Sequence, residues 1–214
     1  MTYSELKTAI ADFLNRSDLT SNVDTFIDST EAELNRRLRT KDMIVRAEAT
    51  ADSQYLTLPT NWLEAINVEI TTNDFSPLMQ MSLESLDIYR KSINNATGQP
   101  IYFSIVDNAM ELAPTPSGSF SLQLTYFERI TALDDTNTSN WVSTDHSDVY
   151  LYGAMKHASI FLMEDDRVAM FSTLFEKALE EIRLAQEKAE FAKGSLIQRR
   201  RTYGKPKKNI YYMK

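Results

Sequence analysis

Residues 101–130 read IYFSIVDNAMELAPTPSGSFSLQLTYFERI, and their period decides the fold class. IYFSIV and AMELAP flank Asp107-Asn108, a dipeptide suited to a tight turn between two antiparallel strands. PTPSGS supplies a second turn, and FSLQLTYFERI then places Phe120, Leu122, Leu124 and Tyr126 at every second position. A period of two is the mark of a half-buried strand. The same period extends upstream. WLEAINVEI alternates over Ile66, Val68 and Ile70, and QYLTLP alternates on a shorter scale. Between them and the hairpin, SLESLDIYRKS spaces Leu83, Leu86 and Tyr89 for one face of a short helix.

On both sides of this stretch the period becomes helical. At the N-terminus Thr2 and Glu5 have capping-box spacing, and Leu6, Ile10, Phe13 and Leu14 follow on one face. NRSDLTS interrupts the pattern. Ser21 and Asp24 repeat the capping spacing, and Val23, Ile27, Leu34 and Leu38 form a second stripe to about Arg39. On the C-terminal side, DDTNTSNWVSTDHSD reads as a polar connector with one buried tryptophan, Trp141. DVYLYGAMKHASIFLM is apolar around much of its circumference and is expected to be a central helix. Asp165 or Asp166 can cap a last helix that carries Phe171, Leu174, Phe175, Ala178, Ile182, Ala185, Ala189 and Ala192, with Gly194 to end it. Its late alanines suit close packing on a neighbour.

Runs of helices, strands and helices predict an α+β fold. The expected layout is an antiparallel helical bundle (1–42 and 142–194), an inserted small β-sheet or sandwich domain (43–141) and an extended basic C-terminal arm (195–214).

Composition narrows the chemistry. The 214 residues contain no cysteine, which removes disulfides, thiolate metal sites and cysteine nucleophiles. Five glycines and no Walker or Gly-x-Gly-x-x-Gly pattern leave no phosphate loop. His146 and His157, eleven residues apart, would sit about 16 Å apart on one helix, too far to share a metal. Glu164, Asp165 and Asp166 fit a helix N-terminus, where acidic groups satisfy free amides and the dipole. No catalytic residue, metal or cofactor is expected. No apolar run approaches the roughly 20 residues of a membrane helix, and the first residues hold no apolar signal core.

Charge is uneven. From Arg199 to Lys214 there are seven basic residues and no acidic one. The whole chain stands at −7, so removing a +7 tail leaves a body at −14. The tail holds Tyr203, Tyr211 and Tyr212 outside any periodic pattern. Arginine forks and tyrosine rings suit an acidic, grooved protein surface at least as well as a phosphate backbone. The expected partner-binding residues are Arg199, Arg200, Arg201, Tyr203, Lys205, Lys207, Lys208, Tyr211 and Tyr212.

Several of these segments together resemble the head–tail adaptors of tailed bacteriophages. The likeness rests on Gly98 and Pro100 before the hairpin, Pro114 to Gly118, Tyr126 and Arg129, Leu133 to Asp135, and Asn140-Trp141. LPTNWLEAINVEI and the paired helices from Asp148 to Ile182 fit the same pattern. Where many relatives carry Pro-Asp before the apolar helix, this chain has Ser147-Asp148. The chain is similar to tail tubular protein A-like and tail accessory factor-like adaptors of short-tailed phages. The resemblance implies a virion protein at the head–tail junction, assembled in the host cytoplasm. It implies a ring, usually of twelve copies, that binds the portal and a downstream tail or nozzle protein. Viral DNA would pass through without specific binding. Two alternatives stand beside it: a tail-associated peptidoglycan hydrolase, and a nucleic-acid-binding protein acting through the basic tail.

Overall fold

The computed structural model describes residues 1–16, 19, 21–72 and 76–193, with side chains through residue 188. The fold is α+β. Two helices come first, α1 (Tyr3–Leu14) and α2 (Val23–Arg37). Thr2 caps α1 as its spacing predicts: its hydroxyl accepts from Glu5 N–H, and the Glu5 carboxylate accepts from Thr2 N–H at 2.8 Å. Asn15 ends the helix in a left-handed conformation, φ 50°. Tyr3, Leu6, Ile10 and Leu14 are buried, but Phe13 is 58% exposed and does not join the predicted face.

The predicted Ser21–Asp24 capping box does not form. Asn22 occupies the N-cap of α2 without a side-chain bond. Asp24 is engaged elsewhere: it accepts from the Tyr3 hydroxyl at 2.9 Å and pairs with Lys7 at 2.7 Å. A carboxylate that ties α2 to α1 is unavailable to its own helix terminus.

The strands follow in two layers. One sheet contains β1 (Ile44–Ala51), β3 (Trp62–Ile70), β4 (Ser76–Pro77) and β10 (Phe120–Glu128), ordered β1-β10-β3-β4 and antiparallel throughout. The other contains β2 (Tyr55–Thr57), β5 (Met79–Gln80), β7 (Tyr102–Val106) and β8 (Ala109–Ala113), ordered β2-β8-β7-β5. A two-residue parallel bridge joins β6 (Thr97–Gly98) to β9 (Thr115–Pro116). The β7–β8 hairpin turns at Asp107-Asn108, with Asp107 at φ 55°, as its sequence predicts. Val68, Ile70, Leu122, Leu124 and Tyr126 from the first sheet meet Phe103, Met110 and Leu112 from the second in one buried cluster.

Ile66 departs from its predicted alternation. Thr125 pairs with Asn67 but Tyr126 pairs with Ala65, so Ile66 lies in a bulge of β3 and is 45% exposed. One extra residue in a strand reverses the facing of that side chain. The short helix α3 (Leu83–Ser92) is present and packs on β7 and β8. Leu86 is its buried anchor and Leu83 is exposed. The second buried contact comes from a residue no apolar pattern reveals: the Arg90 guanidinium donates to the Glu111 carboxylate and to the Leu112 carbonyl.

The chain then returns to helix. The connector before it is more structured than its polarity suggests. Asn140 and Ser143 form a capping box on α4 (Trp141–Asp145), and Trp141 is half-buried. The last two helices are α5 (Ser147–Leu162) and α6 (Asp165–Lys193). The second is about 43 Å long at 1.5 Å per residue. The predicted end of α6 at Gly194 lies outside the described residues.

α5 is central, packing against α1, α2, α4 and α6. Its closest approach is at Gly153. A Cβ there would overlap the Thr30 methyl of α2 and come within 3.0 Å of both the Thr30 hydroxyl oxygen and a Phe175 ring carbon of α6. Thr30 and Phe175 are fully buried, so neither can swing away. Gly153 is therefore needed for its missing side chain.

Gly153→Ala is expected to lower stability by about 1–3 kcal/mol, the usual cost of overpacking a filled core. Urea unfolding followed by circular dichroism measures it. An unchanged midpoint would mean that α2 and α5 separate freely.

Candidate functional site

The helices carry a linked set of charges where α2, α5 and α6 meet. Arg37 forks onto Glu176 and also donates to Glu33 at 3.1 Å, one turn back along its own helix. Lys156 of α5 donates to the second Glu33 oxygen. His157 Nε2 lies 3.5 Å from that oxygen without a hydrogen bond. Beneath them is the Phe175 ring, with Lys156 Nζ 4.4 Å and the Arg37 guanidinium carbon 5.9 Å from its centroid. Both cations thus lie over one buried aromatic ring, a favourable placement.

The surroundings set the proton affinities. Burial works against the Glu33 charge, but hydrogen bonds from Lys156 and Arg37 outweigh it and hold the carboxyl below its ordinary range. The Arg37 fork likewise holds Glu176 low. Burial, with Lys156 alongside, pushes His157 below its ordinary value. A second polar group, Glu31, has the opposite character. It accepts from Leu133 N–H at 2.8 Å and from the Tyr150 hydroxyl at 3.0 Å, and burial pushes it up. These are arrangements for holding helices and a returning loop together. Neither leaves a nucleophile beside an open space.

A polar cleft of about 500 Å³ lies on the β-rich half, lined by Gln54, Asp87, Arg90, Lys91 and Glu111 among others. Its deepest charges, Arg90 and Glu111, pair with each other, while the buried Arg90 Nε has no hydrogen-bond partner. His146 starts α5 and stands edge-on to Trp141, at 6.2 Å between ring centroids. Asp165 and Asp166 occupy the first turn of α6, consistent with their reading as helix-terminal acids. Among the described residues, no three His, Asp or Glu side chains converge to hold a metal, and no helix is long and apolar enough to cross a membrane. All nine predicted partner-binding residues of the tail, Arg199 to Tyr212, lie outside the described residues.

The surface is uneven in another way. Large apolar side chains stand exposed at the corner between α5 and α6: Ile160, Phe161, Met163 and Met170. Large apolar side chains left in solvent within one short stretch of chain point to an association surface.

The model of one family, SU10 adaptor protein, matches residues 1–201, taking in every element described above. The chain belongs to this family. No curated protein sequence matches it. It is therefore a bacteriophage adaptor, a structural component of the virion that assembles with other phage proteins. Membership in a family of structural proteins agrees with a site whose charges pair with one another across α2, α5 and α6. Sequence spacing could have shown the Glu33–Arg37 pair, four residues apart on one helix. Nothing local could have shown Lys156 or Glu176, which reach Glu33 and Arg37 only through the fold.

The adaptor's stability should fall between pH 7 and pH 5.5. His157 is depressed, so the unfolded imidazole, titrating near pH 6.5, takes up a proton before the folded one does. Its contribution is complete above that value and is lost as pH falls. Glu33 acts in the same direction at lower pH: its contribution is complete above about 4.5 and is lost as pH falls through its folded value. Glu31, being raised, contributes at low pH and loses that contribution as pH rises through its folded value. Urea midpoints across this range should slope less in His157→Asn than in wild type. Equal slopes would remove His157 from the effect.

Proposed function

We propose that this chain is the head–tail adaptor of a short-tailed phage. Copies assemble into a ring, of twelve by the pattern of the family it resembles. The ring joins the portal to the next tail or nozzle protein and continues the DNA channel for genome retention and ejection. The observation that carries this reading is the family match, which runs through every described element and on to Arg201 in the basic tail.

The physical properties support it. A body at −14 once the tail is set aside repels DNA that slides past it, which favours passage over sticking. In this reading residues 1–42 and 142–194 form the helical bundle that packs in the ring, 43–141 is an inserted domain, and 195–214 is an arm. Arg199, Arg200, Arg201, Tyr203, Lys205, Lys207, Lys208, Tyr211 and Tyr212 engage an acidic protein surface in the assembled junction. The junction forms in the host cytoplasm and involves no membrane.

Mixing the purified adaptor with the portal protein of the same phage tests this, with mass read by light scattering after size exclusion. Full-length protein should give a complex whose added mass is a whole ring. A chain ending at Gln198 should fold but give at most about a tenth as much complex, since losing many interface contacts costs more than the 1.4 kcal/mol that a tenfold change needs. Equal complex formation would remove the arm from the mechanism, and no complex with full-length protein would refute portal joining.

A further inference from the structure

The corner between α5 and α6 differs from the rest of the helical surface. Met163 leaves α5 in a left-handed conformation, φ 57°, and is 88% exposed. Ile160 and Phe161 are each 53% exposed and Met170 is 50% exposed. Four large apolar side chains thus stand in solvent within eleven residues. Phe161 is also held in place, its ring 5.7 Å from that of Phe26. A braced aromatic side chain loses little entropy when a partner covers it.

The rim of this patch is acidic. Asp165 and Asp166 are exposed in the first turn of α6 and make no ion pair among the described residues. Glu164 beside them pairs with Arg167 at 3.1 Å. An apolar centre with a carboxylate rim suits a partner that combines aromatic rings with cations. The last residues of this same chain have that composition. Tyr203, Ile210, Tyr211, Tyr212 and Met213 lie among seven basic residues with no acidic one.

The reach of the arm permits contact within one copy or between copies, and the layout of the helix favours the second. α6 runs from Asp165 to Lys193, so the arm departs about 43 Å from the corner. From Lys193 to Tyr211 the chain spans at most about 60–65 Å. The root of the arm and the corner therefore lie at opposite ends of one long helix. That is the layout of a head-to-tail contact, which closes into a ring when the rotation between copies closes. We propose that the segment Tyr203–Met213 of one copy docks on the Ile160–Phe161–Met163–Met170 corner of the adjacent copy. The proposal rests on the self-assembly argued above and names the surface that the arm engages.

The chain has no cysteine, so single cysteines report cleanly. Full-length Met163→Cys and Tyr211→Cys proteins are mixed, and disulfide-linked dimer is read on a non-reducing gel. Thr50→Cys, on exposed β1, replaces Met163→Cys as the control, and Met170→Cys serves as a second corner position. The corner pairs should give at least about tenfold more mixed dimer than the control pair, because docking raises the effective concentration of the thiols. Dimer at the control level, while a ring still forms on the portal, would overturn this inference and leave the adaptor function standing. Corner dimer without any portal complex would do the reverse. A Met163→Cys/Tyr211→Cys double variant that closes only within its own chain, with no dimer from the mixed singles, would show the arm folded on its own corner and would also overturn the proposal.

Discussion

The helical half of this protein depends on a contact made by an absent side chain. At Gly153 the backbone of α5 lies against Thr30 of α2 and Phe175 of α6, with no room for a methyl group. That approach brings three helices within reach of one another. It places Lys156 and His157 beside Glu33, sets the Arg37 fork over Glu176, and lets two cations lie over the Phe175 ring. Move α5 outward by one methyl radius and the Lys156 and His157 contacts lengthen together. The same packing positions Tyr150 to share Glu31 with the Leu133 amide, so the chain returning from the sheets is held by the central helix.

How much of this was legible depended on whether the information was local. The capping box at Thr2, the Asp107 turn, the alternation of β10 and the apolar character of α5 follow from neighbours in sequence, and each stands as its spacing predicts. The Ser21–Asp24 cap failed because Asp24 found partners on α1. The inward facing of Ile66 failed because a bulge, set by the pairing with β10, consumed one residue. Leu83 begins α3, where a face defined by spacing runs past the surface it packs on, and Phe13 lies at the edge of the α1 stripe that Tyr3, Leu6, Ile10 and Leu14 bury. Arg90 was invisible to any apolar pattern, since its burial depends on Glu111 in another element. The charge cluster joins residues more than a hundred positions apart, and sequence spacing carries no signal for that. The tail residues were conspicuous in composition alone, and composition names a kind of partner without placing it.

The family match makes the chain a phage adaptor. Its physical properties suggest how an adaptor of this design works: a stiff three-helix contact presents an apolar corner, a long helix separates that corner from a basic, tyrosine-bearing arm, and an acidic body discourages DNA from adhering. None of these requires a reactive side chain. The proposed ring requires copies of the chain to meet in a fixed relation.

Electron microscopy of the full-length protein bound to its portal tests that requirement most directly. The account predicts axial views with closed rotational symmetry, an open centre, and density linking each copy to the α5–α6 corner of the next. Particles in which single adaptors decorate the portal without touching one another would contradict it.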